Sequence, residues 1–256
     1  MSKFLDRMEQ ISRGTQAPLG FGVARPEKIP GMALVGLIAD DYSAGVGAVA
    51  KLAPDATLVA AGPDLSNPPA SGLPWGVRAA SMSQEDVKSY RDSGCDLLAF
   101  PLEGTPVDAV ASDEIARILC IDTGLEENDL RAIMALPVDM LLVSMSEHSG
   151  VWTLSELAAV GTISRRAGDK YILLQVSQPP AGKELEVLRD IGVHGLVVDV
   201  GQLTSEALAG LKKGLLDMPK QRPGRQGRRN AIIPSSGFLR PEEPDHEDEE
   251  EEDDDE

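Results

Sequence analysis

The residues of this chain that could do chemistry stand just past its apolar runs. Asp40 and Asp41 follow residues 33 to 39, Arg78 lies in 75 to 79, Glu103 follows 96 to 100, and Asp122 follows 117 to 121. The run 139 to 144 leads into Ser144, Ser146, Glu147 and His148, while 171 to 177 carries Gln175 with Gln178 next to it, and 195 to 200 holds Asp199 with Gln202 beyond. Carboxylates gathered with one Arg and one His repel one another unless protons or a cation intervene. A hard divalent ion, Mg²⁺ most readily, is the ordinary solution. In that arrangement Asp40, Glu103 and Asp122 hold the ion directly or through water, Arg78 clamps an anionic group of a small metabolite, and His148 or Glu147 moves a proton. The competing reading is structural: Asp after a strand caps the next helix, and Asp41, Asp122 and Asp199 are placed to accept backbone N–H groups in that way.

These side chains can meet only if the runs before them end on one side. Eight runs recur: 33 to 39, 57 to 62, 75 to 79, 96 to 100, 117 to 121, 139 to 144, 171 to 177 and 195 to 200. They are continuous rather than alternating, as strands are when helices cover one face and a packed interior the other. Their spacing leaves room for a helix and two short loops in most intervals. Helical periodicity fills 83 to 94, 127 to 136, 153 to 168, 182 to 192 and 205 to 217, with Ser83 and Asp86 forming an approximate capping box. Prolines 63, 68, 69 and 74 exclude an ordinary helix from the second crossover, and residues 102 to 115 allow only a short one. An amphipathic helix over 4 to 11, with Phe4, Leu5, Met8 and Ile11 on one face, is expected to cover the bottom of the sheet.

The starts of several strands echo one another. SGCDLLAF (93 to 100), LPVDMLLV (136 to 143) and IGVHGLVV (191 to 198) share a helix end, a Gly or Pro two residues before an Asp or His, and then an apolar run; APDATLVA (53 to 60) is a weaker copy. On these echoes the chain resembles the aldolase-type (β/α)8, or TIM, barrels over residues 33 to 217. The resemblance implies a short α/β barrel at 31–218, an extra helix and lead-in at 1–30, and an active site where the strands end at their C-termini. An open doubly wound sheet is the alternative arrangement. Barrels of this kind often hold phosphate in Gly-rich turns after strands seven and eight; here Gly182, Lys183 and Gly201 would form a reduced version.

Composition narrows the partners. The 256 residues carry a formal charge of −18, but the last sixteen hold thirteen acids and no base, leaving a body near −5. Without clustered cations that body is a poor match for nucleic acid or an anionic membrane. No apolar run approaches a membrane span, and the charged start MSKFLDRMEQ is unlike a signal peptide, so a cytoplasmic protein is expected. Cys95 and Cys120 read as buried, reduced thiols. A Schiff-base mechanism lacks its lysine, because Lys51 and Lys88 fall in helices and Lys170 precedes strand seven on the bottom side. Residues 219–256, with a basic run at 220–229 and an acidic run at 242–256, are too polar to offset chain entropy and are expected to be disordered. Two functions follow as expectations: a barrel enzyme, a lyase or isomerase acting on a small anionic metabolite, or a non-catalytic barrel whose charged tail contacts a protein partner.

Overall fold

Eight parallel strands close into a ring in which each neighbours the next in sequence and the last pairs with the first. The computed structural model describes residues 2–14, 28–61, 72–145 and 150–219. The strands are β1 (Ala33–Ile38), β2 (Ala56–Ala60), β3 (Trp75–Arg78), β4 (Leu97–Phe100), β5 (Ala116–Asp122), β6 (Met140–Ser144), β7 (Tyr171–Val176) and β8 (Gly195–Asp199). Each coincides with one of the eight apolar runs. Ala33 of β1 lies opposite Gly195 of β8, and Val35 lies opposite Ala56 of β2. That closing pair excludes the open sheet. The helices are α1 (Lys3–Arg13), α2 (Tyr42–Leu52), α3 (Gln84–Asp92), α4 (Glu127–Met134), α5 (Leu154–Arg166), α6 (Lys183–Asp190) and α7 (Ser205–Asp217). The fourth crossover contains only a single 3-10 turn, Val107–Val110. The capping box at Ser83 and Asp86 is present, and a second one joins Thr153 to Glu156 at the start of α5.

Side chains alternate across each strand, so the ring has two cores. The inner one holds Val35, Leu37, Leu58, Leu97, Ile118, Met140, Leu142, Leu173 and Val197; the outer one packs the opposite faces against the helices. Phe4, Met8 and Ile11 of α1 belong to the inner core, closing the lumen at the N-terminal ends of the strands. Burial of each such side chain contributes roughly 1.5–3 kcal/mol.

The repeated strand start has a physical meaning at this lower rim. Asp55 donates its backbone N–H to Leu34 O and accepts Leu34 N–H on its carboxylate, at 2.8 and 2.9 Å. Asp139 does the same with Arg117 O and N, at 3.0 and 2.9 Å, and His194 does so with Ile172, its Nδ1 accepting at 3.0 Å. A polar side chain just before one strand thereby satisfies the first free N–H of the strand before it. Asp96 shares the position but turns its carboxylate to α1, accepting from the N–H groups of Lys3 and Phe4 and from the Ser2 hydroxyl, each at 2.8–2.9 Å. An anion at a helix N-terminus is favourable. Arg7 adds an ion pair to Asp55 at 2.7 Å. Among the described residues, no helix is long and apolar enough to cross a membrane.

Candidate functional site

The residues that alternate inward on the strands change character at the C-terminal end. Below, they are aliphatic; at the top they become Arg78 on β3, Cys120 and Asp122 on β5, Ser144 on β6, Gln175 on β7 and Asp199 on β8. β3 and β7 stand on opposite sides of an eight-strand ring, yet Arg78 Nη1 donates to Gln175 Oε1 at 2.9 Å. The guanidinium therefore bridges the lumen just above the apolar interior. Ser144 Oγ donates to the same oxygen at 3.2 Å, which pins the acceptor from a third strand.

At the C-terminal ends of β1 to β5 Arg78 also lines a pocket of about 460 Å³, together with Leu37, Ala39, Ala60, Ala61, Ala79, Ala80, Pro101 and Cys120. Its size falls within the range of small-ligand sites. Five of those residues are alanines, whose short side chains leave the space open, and Arg78 is the one charged residue in the lining among the described residues. Burial pushes the Cys120 thiol above its ordinary value; the charge and hydrogen bond of Arg78 pull it down and the charge of Asp122 pushes it up. Arg78 and Asp122 thus both act electrostatically on Cys120. The net upward shift keeps the thiol protonated at neutral pH, which makes it a weak nucleophile.

Of the residues expected to act together, Arg78 and Asp122 reach the mouth. The proposed metal ligands do not assemble: among the described residues no group of three His, Cys, Asp or Glu side chains could hold a metal ion, so Asp40, Glu103 and Asp122 are not a ligand set. Asp40 falls on the outward alternation of β1, and Glu103 is exposed in a turn beyond β4. The neighbouring Asp41 caps α2, accepting Ala44 N–H at 3.0 Å.

The reduced phosphate cup also has other duties. The Gly201 N–H donates to Asp199 Oδ1 at 2.9 Å. Gly182 is the N-cap of α6 with φ +54°, and Lys183 is exposed. The N–H of Ala181 donates to Glu184 Oε2 at 3.1 Å, and Glu184 and Glu186 occupy the first turn. The chain's own carboxylates occupy these donors or stand beside them. Glu147 and His148 lie outside the described residues, as does the tail from 220 onward.

The part of the site that spacing missed is its wiring. Gln175 and Ser144 are visible as polar strand-end residues, but nothing local says that they share one oxygen with Arg78 across the ring. Cys120 reads as an inert hydrophobe by its neighbours, yet its alternation with Ala116 and Ile118 is the available signal that it faces inward.

No family model matches the chain, and no curated protein is significantly similar to it. Solved structures do match. Ligand-free tryptophan synthase from M. tuberculosis superposes with a TM-score of 0.57 at 12% identity, covering 84% of this chain and 100% of that one. A second structure of the Mycobacterium tuberculosis enzyme gives 0.52 at 14% identity, covering 72% and 92%. A mutant tryptophan synthase alpha-subunit from Pyrococcus furiosus gives 0.51 at 12%, covering 72% and 96%. At such identities the likeness is one of fold, and with the closed eight-strand ring it establishes a TIM barrel.

Proposed function

We propose that the barrel mouth binds a small anionic metabolite, with Arg78 as the anchor, and that the protein is an enzyme of lyase or isomerase type. The observation that carries this reading is the Arg78 bridge: a lone cation, held by Gln175 and set in an alanine-lined pocket at the C-terminal end of the strands. One guanidinium N–H is used by Gln175 and the guanidinium also hydrogen-bonds the Cys120 thiol. The remaining N–H donors suit the two oxygens of a carboxylate or phosphate. Asp122, on the inward alternation above Cys120, is the group we assign to moving a proton at the carbon beside that anion. That tryptophan synthase shares the fold is consistent with a lyase, by analogy only.

The test is calorimetric titration of the full chain with inorganic phosphate and with lactate as a short hydroxycarboxylate. Binding is expected for the native protein, at least tenfold weaker for Arg78→Gln, and little changed for Asp122→Asn, which would instead stop turnover. If Arg78→Gln binds both probes as the native protein does, the anchor is misassigned. Mg²⁺ alone in the same cell tests divalent-ion assistance. Heat from a saturable site abolished by Asp122→Asn supports an ion at the mouth, while heat unchanged by that substitution places the ion elsewhere.

A further inference from the structure

Ring closure sets β8 beside β1, and so brings α7 against α2. Between these two helices runs a groove of about 520 Å³. Ala48 and Leu52 of α2 and Leu208, Ala209 and Leu216 of α7 form its apolar surface, and Lys28, Lys51, Lys212 and Lys213 surround it. Asp217 is the one acid in the lining among the described residues, and it is paired with Lys28 at 2.5 Å. Lys212 is anchored, donating to the carbonyl oxygens of Leu52 and Ala53 at the C-terminus of α2, at 2.7 and 3.0 Å. Lys51 and Lys213 are exposed and form no salt bridge among the described residues.

The charge of this patch is opposite to that of the chain. A protein at −18 has here a surface with, among the described residues, four cations and one acid around an apolar floor. Leu52 and Leu208 are almost fully buried and form the base of the groove, with Ala209 exposed and Leu216 half-buried along it, and Lys51 and Lys213 are the lysines left without an ion pair or carbonyl partner among the described residues. The floor favours an apolar body, and the lysines favour an anion held near it, where a neighbouring low-dielectric surface strengthens the attraction. From Ser205 to Leu216 the groove follows three turns of α7, about 16 Å at the helical rise, so it suits an elongated ligand rather than a compact one. Lysine presents its charge on a flexible stem, which suits a single anionic head at the end of such a ligand.

We propose that the α2–α7 groove is a binding site for a free single-chain anionic amphiphile, a fatty-acyl carboxylate, whose tail lies on Leu52, Leu208 and Leu216 and whose carboxylate pairs with Lys51 and Lys213. This site lies on the outer wall of the barrel and does not depend on the function assigned to the mouth.

Dodecanoate below its micellar concentration is titrated into the full-length protein and followed by calorimetry. Saturable binding is expected, weakened at least tenfold by the double substitution Lys51→Glu, Lys213→Glu, and lost in Ala209→Trp, which fills the groove from an exposed position. Dodecanol should bind at least tenfold more weakly than dodecanoate. Arg78→Gln should leave the affinity unchanged, and thermal unfolding of each variant confirms that it is folded. Binding that survives the lysine reversal, or that disappears with Arg78→Gln, overturns the proposal. Two further results also overturn it: co-sedimentation with phosphatidylglycerol vesicles without binding of free dodecanoate assigns the groove to a membrane surface, and a fall in oligomeric mass on lysine reversal assigns it to a second copy.

Discussion

Removing the proton-sensitive acceptor at the start of β8 should change how stability depends on pH. His194 Nδ1 accepts the Ile172 N–H at 3.0 Å, the His194 backbone N–H donates to Ile172 O at 2.8 Å, and the ring stands edge-on to Tyr171 at 5.3 Å. Burial pushes its pKa below the ordinary 6.5, with no neighbouring charge contributing. A protonated Nδ1 could not accept that N–H, so charging the ring also removes the hydrogen bond. The unfolded chain takes up the proton first as pH falls. Stability from the neutral ring is therefore complete above about pH 6.5 and is lost as pH falls through the folded value, at up to about 1.4 kcal/mol per pH unit within that window. Asp86 and Asp217 do not interfere. The Ser83 N–H and hydroxyl hold the first below the ordinary carboxylate range, and Lys28 holds the second there, so both titrate at more acidic pH.

The assay is urea unfolding at half-unit steps from pH 7.5 to 5, with His194→Asn as the comparison. Asn can accept the Ile172 N–H through its carbonyl oxygen but does not titrate. The variant is expected to lose part of the absolute stability through imperfect packing and to show a flatter pH profile, with the denaturant slope unchanged. The decisive quantity is the difference between the two profiles. A native profile that is flat from pH 7 to 5, or a slope that persists undiminished in His194→Asn, would refute the assignment of this titration to His194.

Gly76→Ala should unfold the barrel or cost at least about 3 kcal/mol, because the new Cβ would sit 2.1 Å from Leu97 O and 2.4 Å from Leu97 Cβ, where backbone cannot yield; the midpoint of urea unfolding measures it. Phe4→Ala should cost about 3–5 kcal/mol and make α1 more susceptible to proteolysis, since Phe4 is fully buried in the inner core at the lower rim. Thr57→Val should be neutral or stabilise by up to about 1 kcal/mol, because Thr57 Oγ1 is buried and has no hydrogen-bond partner among the described residues; unchanged or raised melting temperature is the expected result.

How much of this was legible in the sequence depends on which interactions are local. The eight strands were visible because both faces of each are buried, which turns every strand into an unbroken apolar run; β1 is buried at all six positions. The weak fourth crossover was visible for the converse reason, and only a 3-10 turn forms there. The lower-rim echo is visible as a pattern, and its meaning is not local, since Asp55, Asp139 and His194 each serve the strand before their own.

At the mouth the same locality works against prediction. A carboxylate after a strand looks alike whether it caps a helix, as Asp41 does, satisfies a turn, as Asp199 does for Gly201, or faces the lumen, as the alternation of β5 places Asp122. Alternation within a strand separates these cases one strand at a time: Asp40 fails it on β1 and Asp122 passes it on β5. What alternation cannot supply is the partner across the ring. Arg78 and Gln175 are 97 residues apart, and their hydrogen bond follows from strand number rather than from either local sequence, because β3 and β7 are diametrically placed only when the sheet closes with eight strands. The anchor proposed for the metabolite is therefore a property of the closed ring, and opening that ring would remove the acceptor that holds the Arg78 side chain over the lumen.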